Sequence, residues 1–195
     1  MKKIIITIVF LFGLHCVAQN TIIDIPNWNG ETNPPNFHLK DVNHILDNFV
    51  GTWFYTNSTT SLKIVFEKRE YVHIGNYYED ILIGEYQYRD ITNNTDLFNS
   101  LPNLQAALPS EYHHKIFGNY MPTTPIHFAN SSPIRRIDLF FHDNIGGSMN
   151  IQKITVNGQE AIEILKVCSQ ATHLEGQPTI QPILPDGFYT LIKQP

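Results

Sequence analysis

The sequence predicts an all-β domain: an antiparallel up-and-down β-barrel of eight or nine strands, preceded by a short helix. Three observations carry the prediction. Apolar and polar residues alternate in run after run: Leu62, Ile64 and Phe66 against Ser61, Lys63 and Glu67, then Ile137, Leu139 and Phe141 against Asp138 and His142. Such a period of two marks strands with one buried and one wet face. Asn157-Gly158 stands between Val156 and Glu160, the dipeptide of a two-residue type I′ hairpin. No strand–helix–strand rhythm interrupts the series, which leaves antiparallel barrel or sandwich architecture, and the succession of hairpins favours up-and-down closure.

The chain has 195 residues, 42% hydrophobic and 16% charged, within the range of one globular domain with extensions. Residues 1–18 read as a secretory signal. Lys2 and Lys3 form the charged region, Ile4 to Leu14 an apolar run too short to span a bilayer, and Cys16-Val17-Ala18 a small-residue cleavage site before Gln19. His15 occupies the position where a lipidated cysteine needs a small neighbour, so cleavage after Ala18 is the expectation. The mature chain is then exported, to periplasm, cell surface or medium, and is not an integral membrane protein. Loss of Lys2 and Lys3 takes the formal charge from −5 to −7, which argues against nucleic acid or an anionic membrane as partner. Cleavage also removes Cys16 and leaves Cys168 alone, so no internal disulfide forms. Cys168 ends the apolar run from Ile162 to Val167 and reads as a buried, inert thiol. The roughly 155 residues beyond Leu39 suffice for a core without covalent staples.

Residues 19–38 read as an extended leader and 39–195 as the barrel domain. In the leader, Ile22, Ile23 and Ile25 suit a short strand, broken by Pro26, Gly30, Pro34 and Pro35, and Trp28 packs loosely onto the domain. From Asp41 to Phe49, Val42, Ile45, Leu46 and Phe49 recur at helical spacing, with Asp41 as N-cap, which predicts a helix lidding one barrel end. Gly51 then permits a tight turn into the first strand, and Trp53 can plug the barrel with its indole N–H bonded at the rim. Gly51-Thr52-Trp53 after a helical turn resembles the start of lipocalin-like barrels, and the resemblance pairs Trp53 with a late basic residue, Lys193.

Further strands are expected at Trp53–Thr56, around Leu62–Phe66, at Tyr71–Tyr78 and at Ile81–Arg89, with turns at 57–60, at Glu67-Lys68-Arg69-Glu70 and at Glu79-Asp80. Gly84, inside a strand, suggests a bulge or a close backbone approach. The second half adds Ile137–Phe141, Met149–Val156, Ala161–Val167 and, after a loop punctuated by Pro178, Pro182 and Pro185, Phe188–Lys193.

Tyr77-Tyr78-Glu79-Asp80, Ile83-Gly84-Glu85-Tyr86, the pair Arg135-Arg136 and the terminal Tyr189-Thr190-Leu191-Ile192-Lys193-Gln194, together with Gly51-Thr52-Trp53, resemble an uncharacterised family of small secreted bacterial proteins. The resemblance spans most of 39–195. It implies a domain of unknown function and no activity.

Residues 92–133 interrupt the strand series with Pro102, Pro109, Pro122, Pro125 and Pro133. An insertion of this length exceeds ordinary loops, and Phe98, Tyr112, Phe117, Tyr120 and Phe128 give it aromatics to pack on the domain. A functional flap and a decoration stay open as readings.

Catalytic signatures are missing: no nucleophile elbow, no zinc-protease motif and no phosphate-binding glycine loop. The chain therefore reads as a non-enzyme without cofactor or metal. His113-His114, His127, His142 and Asp143 invite a metal, yet adjacent residues on an extended chain point to opposite faces, and solvated loop histidines are the simpler account. Glu79, Asp80 and Glu85 offer carboxylates for glycoside chemistry, although Glu79 and Asp80 fall at an expected turn. Two functions remain. One is binding of a small apolar ligand inside the barrel, by Tyr71, Tyr77, Tyr78, Tyr86 and Tyr88 under the long insertion. The other is a non-catalytic interaction or structural protein of the cell envelope, with a filled core and partners on its outer face. Inward residues discriminate: Trp53, Phe66 and Phe141 would fill the barrel, whereas Gly75, Gly84 and Ala161 would leave it hollow.

Overall fold

The computed structural model describes residues 20–28, 30, 35–122, 128, 134–169 and 181–195. The signal segment, His127, Pro125, Pro133 and Pro178 lie outside them. Among the described residues there are eleven strands: β1 Ile22–Asp24, β2 His38–Lys40, β3 Gly51–Thr56, β4 Thr60–Ile74, β5 Tyr77–Asp90, β6 Thr95–Asn99, β7 Ile116–Tyr120, β8 Ile137–His142, β9 Gly146–Val156, β10 Gln159–Cys168 and β11 Gly187–Lys193. Eight of them close a barrel in the order β5-β4-β3-β11-β10-β9-β8-β7, with β7 returning to β5. Each barrel neighbour is antiparallel. The remaining three decorate β5: β2 pairs with it in parallel and carries β1, and β6 covers its far end.

Alternation explains the interior. Trp53, Leu62, Ile64, Phe66, Leu82, Tyr86, Leu139, Phe141, Ile151, Ile162, Ile164 and Leu191 belong to one buried cluster. Trp53, Tyr86, Phe66 and Phe141 are among the largest fully buried side chains, so the barrel is filled by bulky residues along much of its length. Gly84 is the expected close approach rather than a bulge. A Cβ there would stand 2.6 Å from the Phe66 ring, so the missing side chain is the space the phenyl occupies. Gly51 has φ +128, a conformation glycine adopts at little cost, and it sets the chain into β3. The Asn157-Gly158 hairpin forms as expected, both residues with positive φ.

Several expectations are corrected. The helix over 41–49 does not form; a single 3-10 turn, Leu46–Asn48, stands in its place. The cause is local. Asp41 does not cap the first turn of a helix; its carboxylate accepts the N–H groups of Ile45 and Leu46 at 2.8 and 2.9 Å. His44 sits at φ 54, which breaks the helical path. Leu46 and Phe49 are still buried, while Val42 is exposed.

The charged stretch Glu67 to Glu70 is not a turn either. β4 continues through it, with a register shift between Arg69 and Val72, because Lys68 points to the barrel end and is held there by Asp41 and Asp47 at 3.1 and 2.9 Å. Arg69 lies outside and pairs with Glu67 and Glu111. The reversal comes later, at Gly75 with φ 57, so Glu79 and Asp80 are buried strand residues and not turn residues.

The insertion contributes a barrel strand. β7 registers Leu82, Ile83 and Gly84 of β5 against Gly118, Phe117 and Ile116 and completes the closure. Before it, β6 extends the sheet beside β5, and two 3-10 turns, Leu101–Gln105 and Glu111–His113, follow against the outward side chains of β5. There Leu104 and Phe117 join Ile81 and Ile83 in a second, smaller apolar cluster, with Tyr112 packed against it.

Candidate binding cleft on the outer wall

The five tyrosines expected to make one site are not brought together. Tyr86 and Tyr88 point into the barrel and are buried. Tyr86 stacks on Phe98 with ring centres 4.7 Å apart and meets Phe141 at 5.3 Å. Its burial, with the Asp143 and Glu85 carboxylates nearby, pushes its phenol well above the ordinary range. Tyr71, Tyr77 and Tyr78 sit by the β4–β5 reversal, where Tyr71 stacks on Tyr78 at 4.1 Å and Tyr77 on Phe37 at 4.6 Å. A rise of about 3.3 Å per residue separates Tyr78 from Tyr86 by roughly 26 Å along β5. They therefore lie far apart along β5.

Trp53 is fully buried, and its Nε1 donates to the carbonyl of Phe49 at 2.7 Å. Lys193 registers beside it on β11, with Nζ 5.5 Å from the indole centre, and Lys153 stands at 5.2 Å. Glu160 answers both ammonium groups, at 2.7 Å to Lys193 and 3.2 Å to Lys153. The lipocalin-like resemblance points to Lys193 but not to Lys153, because it pairs Trp53 with a single late basic residue.

Asp80, Glu85 and Glu79, the carboxylates considered for chemistry, are each held by a ring partner, whereas His113 and His142 are exposed. His38 bonds Asp80 at 2.8 Å, His114 bonds Glu85 at 2.9 Å, and Tyr112 donates to Glu79. Burial raises the Glu79 carboxyl and the Tyr112 phenol together. These contacts clamp the N-terminal segment and the insertion onto β5. Among the described residues, no group of three or more His, Cys, Asp or Glu side chains is placed to hold a metal ion.

An open cleft of about 470 Å³ lies elsewhere, lined by Tyr120, Leu139, Phe140, Val167, Asp138 and the segment Cys168–Ser169 among others. Its construction follows from strand register. Phe140 on β8 is opposite Ser148 on β9, which is opposite Val167 on β10, and Tyr120 on β7 is opposite Asp138. Because Leu139, Phe141, Met149 and Lys166 face inward, these neighbours face out. At Gly147 the β10 backbone approaches β9 too closely for a side chain: a Cβ there would lie 2.3 Å from the carbonyl oxygen of Val167. Tyr120 and Phe140 are 61% and 62% exposed, unusual for adjacent aromatics on one wall. Phe140 stacks on Phe117 at 5.3 Å, and Phe117 meets Tyr112 edge-on at 5.0 Å, so an aromatic line runs from the cleft to the insertion. The one carboxylate, Asp138, is tied to Arg136 at 2.9 Å.

The volume falls in the range of small-molecule sites, and mainly apolar walls with a few polar groups are their usual chemistry. Sequence reasoning misses the cleft because it follows the inward residues Leu139 and Phe141 and passes over Phe140 between them. An aromatic at an outward position is the signal that could have found it.

Among the described residues, no helix is long and apolar enough to cross a membrane. No curated protein and no solved structure matches the chain. A family model does match, over residues 1–194, and the chain belongs to that family, one of unknown function (DUF6705).

Proposed function

We propose that the protein is an exported, non-enzymatic binding module that takes a small apolar or aromatic group on its outer wall rather than inside the barrel. The observation that carries this is the cleft between Tyr120, Phe140 and Val167, set against an interior crowded by Trp53, Tyr86, Phe66 and Phe141. Polar groups at the rim, Ser148 and Ser169, suit one or two orienting hydrogen bonds. Export rests on the charged, apolar and small-residue segments of residues 1–18. The N-terminus of protein recovered outside the cytoplasm is expected at Gln19 without an acyl chain; an intact Cys16 bearing lipid contradicts it.

Binding is tested with an anilinonaphthalene fluorophore. The intact protein is expected to take up the probe, and Phe140→Ser to weaken uptake by roughly 10- to 100-fold, the equivalent of about 1.5–3 kcal/mol for losing one buried aromatic contact. Because Phe140 is exposed, unfolding free energy should change by about 0.5 kcal/mol or less. Equal uptake by both proteins removes the cleft as the site. A second reading is favoured by the openness of Tyr120 and Phe140: the same face serves a macromolecular partner of the cell envelope. Failure of the intact protein to take up any probe selects it.

A further inference from the structure

Lys166 is the one lysine with no exposed surface among the described residues, and its surroundings give it an unusual neighbour. On a strand, residues two apart share a face, so Lys166 and Cys168 lie side by side at the end of β10. The three ammonium hydrogens have three acceptors: the Leu184 carbonyl at 2.7 Å, Asp186 at 3.0 Å and the Cys168 sulfur at 2.8 Å. Sulfur is larger than oxygen, so a nitrogen–sulfur approach as short as the neighbouring nitrogen–oxygen bonds is an intimate one. The Phe141 ring stands 5.2 Å from Nζ on another side. The amine is thus held with little freedom against the thiol. Cys168, unlike Lys166, is only half-buried and lines the outer cleft, which gives small solutes a way in. This corrects the expectation that Cys168 is buried.

We propose that Lys166 and Cys168 are a redox modification site, joined by hydroperoxide into a covalent nitrogen–oxygen–sulfur bridge. The balance requires two peroxides. The first oxidises the thiol to a sulfenic acid and leaves as water. Nζ gives up a proton, with Asp186 in contact to receive it, and the second peroxide converts the amine to a hydroxylamine, again releasing water. Condensation of the hydroxylamine O–H with the sulfenic acid forms the S–O bond and expels a third water. The chain therefore gains one oxygen and loses two hydrogens. Burial raises the Cys168 thiol, against the opposing pull of the Lys166 ammonium, which slows the first step and suits a response to sustained oxidant. The bridge ties the barrel lining to the cleft rim.

The test is mass spectrometry of the full chain carrying Cys16→Ser, which leaves Cys168 as its only thiol, before and after hydrogen peroxide. The expected result has three parts: a gain of one oxygen less two hydrogens, located by fragmentation to 166–168; loss of maleimide-reactive thiol; and return of both with dithiothreitol. Cys168→Ser is expected to abolish the gain. Lys166→Arg should divert the thiol to sulfinic and sulfonic acids. Whole-oxygen gains on Cys168 with Lys166 unmodified, a disulfide-linked dimer, or no change in mass each overturn the proposal. The mapping on the Cys16→Ser chain stands even if Lys166→Arg does not fold.

Discussion

Replacing Trp53 with Ala should lower the unfolding free energy by about 3–5 kcal/mol, the range for deleting a buried aromatic. The ring is wholly enclosed, its N–H is satisfied by Phe49, and two ammonium groups lie over it. Removing it opens a void and also frees the Phe49 carbonyl and Lys153, whose Nζ reaches the Asn48 carbonyl at 3.1 Å. The seam is weakest here. β11 registers with β3 only through Ile192–Phe54 and Lys193–Trp53, supported by the Gln194 N–H to Thr52. Equilibrium urea unfolding measures the effect. A change near 0.5 kcal/mol or less would mean that the indole does not close the barrel.

Lys68→Met is expected to cost a similar amount, about 3–5 kcal/mol, because it strands a buried carboxylate. Asp41 has no exposed side-chain surface and Lys68 very little. Asp47 and Glu70 also contact the ammonium group, but both are largely exposed and can turn to water. Asp41 would keep its two backbone N–H donors and lose its close cation. Adding Asp41→Asn to Lys68→Met should recover part of the loss, since the second change removes the uncompensated charge. If Lys68→Met alone leaves the urea midpoint unchanged, the ion pair does not fasten 41–49 over the barrel end.

Much of the barrel is legible in the chain, and the misses have physical causes. The alternation of Ile137, Leu139 and Phe141 and the Asn157-Gly158 turn read directly as strands and a hairpin because both signals are local. Apolar spacing over 42–49 was ambiguous: Leu46 and Phe49 do face the core, but side-chain bonds from Asp41 replace helical ones. Glu67 to Glu70 read as a turn because Lys68 finds its partners on a segment some twenty residues earlier, and pattern reasoning cannot see that pairing. β7 was hidden among prolines, and only its place between β5 and β8 makes Ile116–Tyr120 a strand. The candidate site suffered most. Tyrosines close in sequence read as one group, yet a long strand spreads them apart, while the cleft draws its lining from four strands, β7 to β10.

Where an apolar ligand sits decides the account most directly. Methyl-resolved NMR during titration with the anilinonaphthalene probe distinguishes the outer wall from the interior. The Val167 methyls, on the cleft wall, are expected to shift with probe concentration. Those of Leu62, Ile64 and Ile162, in the barrel core, should stay in place. Saturable shifts at Leu62, Ile64 and Ile162 with Val167 unmoved would place the ligand inside the barrel and contradict the outer-wall site.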